Sequence, residues 1–215
     1  MPKIVDHESR RAEIAAAVRR LVLREGVASA TVRKVADEAG WSPGAVRHYF
    51  PDQAALLRLV IAQAYADVPQ RLESHLRSWY DDPSGRDPLG HAQRMLEELL
   101  PLDDERRVEA EVWLATMDAA RHDPALAEAR AMAWAGIRQM SRIAVAWVRG
   151  RELDPHLGRL LEEPLAEPVD ERAAATVHAL LDGLAMQCYA YAEQVELDDL
   201  RVTLRSHLDE VARGA

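Results

Sequence analysis

The chain has 215 residues, 48% hydrophobic and 29% charged, so it can bury a sizeable core and is too apolar for a disordered chain. Ten Gly and one Phe beside abundant Ala, Leu, Arg and Glu favour helix and argue against an all-β or glycine-looped α/β fold. The net charge of −9 hides an asymmetry: residues 1–53 hold nine Lys and Arg against seven Asp and Glu, net +2, while the rest holds 18 against 29, net −11.

Met1 to Asp6 lacks the apolar run of a signal peptide and Cys188 has no second cysteine to bridge, so a cytoplasmic protein is expected. Ile14, Val18, Leu21 and Val22 recur at helical spacing before Gly26 and predict a first helix over about 8–25, Arg-rich on its other face. Thr31 is placed to cap a second, short helix with Val32, Val35, Ala36 and Ala39 on its apolar face and Gly40 at its end. Ser42-Pro43 restarts the chain as N-cap and first helical residue, and the third helix runs to Tyr49. Pro51-Asp52 breaks and recaps it. Leu56, Leu57, Val60, Ile61 and Ala64 then predict one long fourth helix reaching Trp79.

Two short helices joined by Ala39-Gly40-Trp41-Ser42 form a helix-turn-helix pattern. Spacing alone is equally compatible with any helical hairpin; the third helix adds chemistry. Ser42, Arg47, His48 and Tyr49 can donate hydrogen bonds to phosphate or base edges, and Val46 and Phe50 supply apolar anchors. The run from Thr31 to Leu57, TVRKVADEAGWSPGAVRHYFPDQAALL, resembles the DNA-binding signature of TetR-family transcriptional regulators. It departs from the family pattern at Arg47, where an aromatic is usual, and at Gln53, where a lysine is usual. The resemblance implies that the third helix enters the major groove, with Ser42, Pro43 and Gly44 near the backbone and Arg47 and His48 toward bases or phosphates. Thr31 and Gln53 become phosphate-contact candidates from neighbouring helices. Tyr49 either touches phosphate or packs under the third helix. Arg33 and Lys34 read as solvated charges.

Downstream, Pro83-Ser84-Gly85 and Pro101 divide helices over about 87–100 and 103–120. Another begins at Pro124 and runs to Gly150. The stretch from Arg151 to Val169, with Pro155, Pro164 and Pro168, reads as loop, and helices over about 171–193 and 198–213 follow. The expected architecture is therefore all-α, about nine helices: a three-helix helix-turn-helix domain over 1–53 and a helical body over 54–215. Val112-Trp113-Leu114-Ala115 with His122-Asp123-Pro124, and Leu180 to Ala185, resemble the C-terminal domain of the BetI-like branch. That implies a ligand-binding and dimerisation domain.

No G-x-S-x-G, P-loop, G-x-G-x-x-G or H-E-x-x-H motif is present, so no enzymatic activity, metal or cofactor is expected. His178 and Asp182, four apart, can meet on one helix face as a structural pair or a dyad. Trp113, Met117, Trp134, Met140, Met186 and Tyr189 are bulky or polarisable where Leu would fill a plain core, and Gln139 and Gln187 add polarity. Each is compatible with ordinary packing; for the group, the resemblance implies that several of the first six wall a pocket for an unidentified small-molecule effector. Val177, Leu181 and Leu184, then Leu200, Leu204, Leu208 and Val211, suit either the chain's own core or homodimer pairing through the last two helices. The implied function is a repressor released from a palindromic DNA operator, with no membrane partner. The rival is a helical ligand-binding or scaffold protein without DNA binding.

Overall fold

The computed structural model describes residues 7–51, 53–64, 66–81, 86–121, 126–151, 153, 165 and 169–214. Asp52, Pro83-Ser84-Gly85, His122-Asp123-Pro124, Pro155, Pro164 and Pro168 lie outside the described residues. Helix α1 (His7–Glu25) buries Ile14, Val18, Leu21 and Val22 and ends at Gly26, whose φ of 76° is open to a residue without Cβ. A 3₁₀ turn (Val27–Ser29) leads to α2 (Val32–Ala39). There Thr31 Oγ1 accepts from the Lys34 amide at 3.3 Å, and Gly40 closes the helix in the left-handed region. The third helix, α3 (Pro43–Tyr49), begins as its sequence dictates: Ser42 Oγ accepts from the Ala45 amide at 3.1 Å and Pro43 occupies the first turn.

The apolar run after Pro51 folds as two helices, α4 (Gln53–Ala64) and α5 (Val68–Asp81), where one long helix to Trp79 is expected. The reason is Pro69. It lacks an N–H and its ring would strike the carbonyl four residues earlier, so it fits the first turn of a new helix but not the interior of a continuous one. Next come α6 (Pro88–Glu97), capped by Asp87, α7 (Asp104–Ala119), capped by Asp103, and α8 (Ala127–Val148). Asp170 caps α9 (Glu171–Ala190) through the Ala173 amide, and α10 (Leu197–Arg213) ends at left-handed Gly214. The described residues thus hold ten α-helices and no strand, an all-α fold.

Two apolar clusters organise these helices. The N-terminal one joins α1, Val35 and Ala36 of α2, Val46 of α3, Phe50, and Leu56 and Val60 of α4. It also takes in Val108 and Val112, which belong to α7. The body cluster is built on α5, α6 and α8–α10, with the Trp79 and Trp147 rings stacked 4.8 Å apart and 26° from parallel. Full burial of each Leu, Ile, Met or Val side chain of these clusters contributes about 1.5–3 kcal/mol before entropy is counted. Val177, Leu181 and Leu184 of α9 and Leu200, Leu204, Leu208 and Val211 of α10 all face this cluster, so those stripes serve the chain's own core. Any pairing through the last two helices uses their other faces.

Because α7 also touches α8 and α9, it is the shared wall between the N-terminal unit and the body. An ionic cluster fixes its position. Arg71 of α5 donates to Glu98, just past α6, at 2.9 Å and to Glu109 of α7 at 2.7 Å, and His75 lies 3.1 Å from Glu98. Arg106 joins the group 3.7 Å from Glu98. Arg71, Glu98 and Glu109 are largely withdrawn from water, so losing one partner would strand a charge.

Candidate nucleic-acid interface and effector region

The recognition surface follows from how α3 is seated. Val46 is fully buried and Phe50, just after the helix, is 2% exposed, which turns Arg47 and His48 to the outside. Ser42, Pro43 and Gly44 are exposed at the start of the helix, and a Cβ added at Gly44 would meet nothing within 4 Å. That first turn is open to close approach by a phosphate backbone. Tyr49 is half-buried, its ring edge-on to Trp41 at 5.9 Å and to His48 at 5.2 Å. Its ring therefore packs along α3, one of the two roles its position admits. Thr31 is half-buried at the start of α2, and Gln53 is the first residue of α4.

Electrostatics separate the cations of this unit. Arg20 and Arg24 both reach Glu38 at 2.8 Å, Lys34 reaches Glu25 at 2.7 Å, and Arg19 reaches Glu105 of α7 at 3.3 Å. Lys34 is thus ion-paired, where a merely solvated charge is expected. Hydrogen bonds from Arg20 and Arg24 hold the Glu38 carboxyl below its ordinary range. Exposed pairs of this kind add little stability, but they leave these four cations partly neutralised. Arg33 and Arg47 remain exposed.

Replacing Ser42 by Ala is expected to cost about 0.5–2 kcal/mol of stability, because the Ala45 amide loses its cap. Urea melts of the two proteins measure it. A loss below a few tenths of a kcal/mol would mean that the cap contributes nothing to the seat of α3.

In the body the six effector candidates lie at different depths. Met140 is 2% exposed within the core, Trp113 and Met117 are half-buried on α7, and Trp134, Met186 and Tyr189 are 56%, 44% and 57% exposed. Tyr189 lines a cleft of about 290 Å³ between α7 and the end of α9, with Arg107, Glu111 and Cys188. Burial raises the Glu111 carboxyl above its ordinary range, as it does the Cys188 thiol. A second cleft, about 360 Å³, lies between α9 and α10 and includes Gly183, Gln187 and Thr203, while Gln139 is buried.

His178 and Asp182 do share a face of α9, but Nε2 stands 3.6 Å from Oδ2, beyond a good hydrogen bond. Among the described residues, Nδ1 is buried with no hydrogen-bond partner, and the Trp134 ring lies 5.7 Å away. Burial, then Arg138, lowers the His178 pKa, so the folded state favours the neutral ring. The unfolded chain then binds more protons just below pH 6.5, and stability should rise with pH from the depressed folded value up to about 6.5. His178→Phe should flatten that part of a urea-stability profile against pH. An identical slope in the variant would contradict the assignment.

The residues that spacing did not mark are those of the Arg71 cluster. Arg71 lies 27 and 38 positions from its partners Glu98 and Glu109, on three different segments. No local signal connects them.

A small capped helix held outward on a three-helix unit, backed by a larger helical body, is a helix-turn-helix arrangement. Residues 14–60 match the family model described as bacterial regulatory proteins, tetR family, and residues 88–213 match that of the BetI-type transcriptional repressor C-terminal region. The chain belongs to the TetR family, with a BetI-type C-terminal region. It is 30% identical to the HTH-type transcriptional regulator PksA of Bacillus subtilis over 98% of this chain and 94% of that one. A transcriptional regulator from Rhodococcus sp. Rha1 shares the structure with a TM-score of 0.67 and 28% identity, covering 95% of this chain and 97% of its own. A regulator from Saccharomonospora viridis, solved in complex with choline, superimposes with a TM-score of 0.71 over 94% of this chain and 96% of its own; at 18% identity it shows the fold alone. Members of the family are transcriptional regulators and not enzymes. Among the described residues, no helix is long and apolar enough to cross a membrane.

Proposed function

We propose that the chain is a homodimeric, ligand-responsive repressor of the cytoplasm. Residues 1–53 read a palindromic operator, and residues 54–215 pair two chains and hold a small-molecule effector. The observation that carries this reading is α3, which presents Arg47 and His48 outward from a fully buried Val46. Ser42, Pro43 and Gly44 approach the backbone there, and Thr31 and Gln53 add phosphate contacts at its flanks, with the Tyr49 ring packed along the helix. Two copies are needed because recognition helices must meet successive major grooves, about 34–36 Å apart or a multiple. The outward faces of α9 and α10 expose Met186, Tyr189, Leu197 and Val202, apolar surface suited to two-fold pairing.

Trp113, Met117, Trp134, Met140, Met186 and Tyr189 supply the effector region, with Met186 and Tyr189 where the two roles adjoin. The exposed rings of Trp134 and Tyr189 favour a flat or cationic ligand, by stacking or by cation–π attraction of about 0.5–2 kcal/mol. The Saccharomonospora regulator in complex with choline is an instance of this fold holding a small organic cation. Signal transfer runs through α7, which puts Val108 and Val112 into the N-terminal cluster and Glu109 onto Arg71 of the body. To take the dimer from 99% competent to 99% released, the ligand must prefer the released state by about 5.5 kcal/mol; tight binding without preference shifts nothing.

Screening small molecules by tryptophan fluorescence, then by duplex release, tests this. The expected result is a compound that perturbs the fluorescence, weakens duplex binding and binds less well to Trp113→Ala or Trp134→Ala. Compounds whose affinity both variants leave unchanged would move the effector site elsewhere.

A further inference from the structure

Arg10 and Arg11 stand side by side on α1, both exposed. The Arg10 guanidinium lies 4.8 Å from the centre of the Trp41 ring, and that of Arg11 lies 5.3 Å from the centre of the Phe50 ring. Trp41 immediately precedes Ser42, the N-cap of α3, and Phe50 immediately follows Tyr49, its last residue. The two rings therefore bracket the recognition helix, and each holds one guanidinium against it.

Two features turn this bracket toward a partner. Arg19, Arg20, Arg24 and Lys34 are all bound by carboxylates, whereas among the described residues Arg10 and Arg11 pair with none. Among the described residues these two charges, like those of Arg33 and Arg47, keep no carboxylate partner while four neighbouring cations are partly neutralised. Stacking also occupies only the flat face of a guanidinium, which leaves its in-plane N–H donors available for a planar or tetrahedral oxyanion. A side chain already restrained by a ring loses less rotamer freedom when it binds.

We infer that Arg10 and Arg11 are two further contacts to the phosphodiester backbone, set by Trp41 and Phe50 at the two ends of the recognition helix. The inference rests on the DNA-binding reading above and extends the interface to α1. A solely internal role, clamping α3 in place, is the alternative that the charge dependence of binding distinguishes.

The test uses the full-length protein and a random-sequence duplex of about 30 base pairs, with affinity followed by fluorescence anisotropy from 50 to 200 mM NaCl. Each phosphate contact contributes about 0.9 to the slope of log affinity against log salt, so in a dimer that sets both copies on the duplex Arg10→Ala and Arg11→Ala should each lower it by about 1.8 and the double variant by about 3.6. Across that salt range each single variant then loses about 12-fold less affinity than the wild type. Arg10→Lys should keep the slope, because its charge remains. Arg20→Ala should keep it too, because Glu38 already holds that guanidinium. Alanine variants that bind more weakly with an unchanged slope would make the pair an internal clamp and overturn the inference, as would unchanged affinity and slope. If the wild type binds but the alanine variants keep its slope, this inference alone fails. If the wild type binds neither this duplex nor any selected one, the DNA-binding reading fails with it.

Discussion

Replacing Phe50 by Ala should destabilise the N-terminal unit by about 3–5 kcal/mol, the range for emptying a buried aromatic site. Phe50 is the single phenylalanine of the chain, and its side chain is 2% exposed. Its amide also closes α3 by donating to the Val46 carbonyl at 2.8 Å. The cluster it fills is small, and α3 has only seven residues, so no longer helix can redistribute the loss. The body cluster does not use Phe50. Amide exchange should therefore show α2 and α3 opening well before α8–α10, and DNA affinity should fall with the population of the intact unit. A loss under about 1 kcal/mol, or equal loss of protection in both clusters, would contradict this division of the core.

Arg47→Ala should lower affinity for the selected operator by about 1–3 kcal/mol and relax preference at one base pair per half-site, if the guanidinium reads a guanine edge with two donors. Arg47 is exposed on α3 and belongs to neither apolar cluster, so its removal leaves the core intact. A phosphate contact would instead weaken all sequences alike and reduce the salt slope by about 0.9 per half-site. Competition of single-base operator variants against both proteins separates these outcomes. Unchanged affinity, with folding retained, would take Arg47 out of the interface.

Local chemistry made the N-terminal unit legible in the sequence. Thr31, Gly40, Ser42 and Pro43 act on their own backbone within a few residues, so caps and turns follow from identity and order. The outward set of α3 follows from Val46 and Phe50, whose burial fixes the opposite face. Where apolar periodicity ran on past Ala64, it masked the break that Pro69 imposes, because hydrophobic spacing carries no record of a missing N–H.

The depth of a side chain was less legible. Trp134 and Met140 lie on the same helix, one exposed and one in the core, and side-chain size alone does not separate those positions. The stripes of α9 and α10 carried the same ambiguity, since a core-facing and a partner-facing stripe have one period. Recruitment of Val108 and Val112 to the N-terminal cluster is a tertiary fact about α7, as is the meeting of Arg71 with Glu98 and Glu109. These contacts join the two parts of the molecule.

Selection of the full-length protein on random duplex DNA, followed by competition with heparin, tests the central claim most directly. Recovered duplexes should converge on an inverted repeat whose half-sites lie one helical turn or a multiple apart, bound by two chains and weakened steeply by salt. A pool without any enriched sequence, together with binding no better than the heparin-competed background, would contradict the regulator reading and leave a helical ligand-binding or scaffold protein.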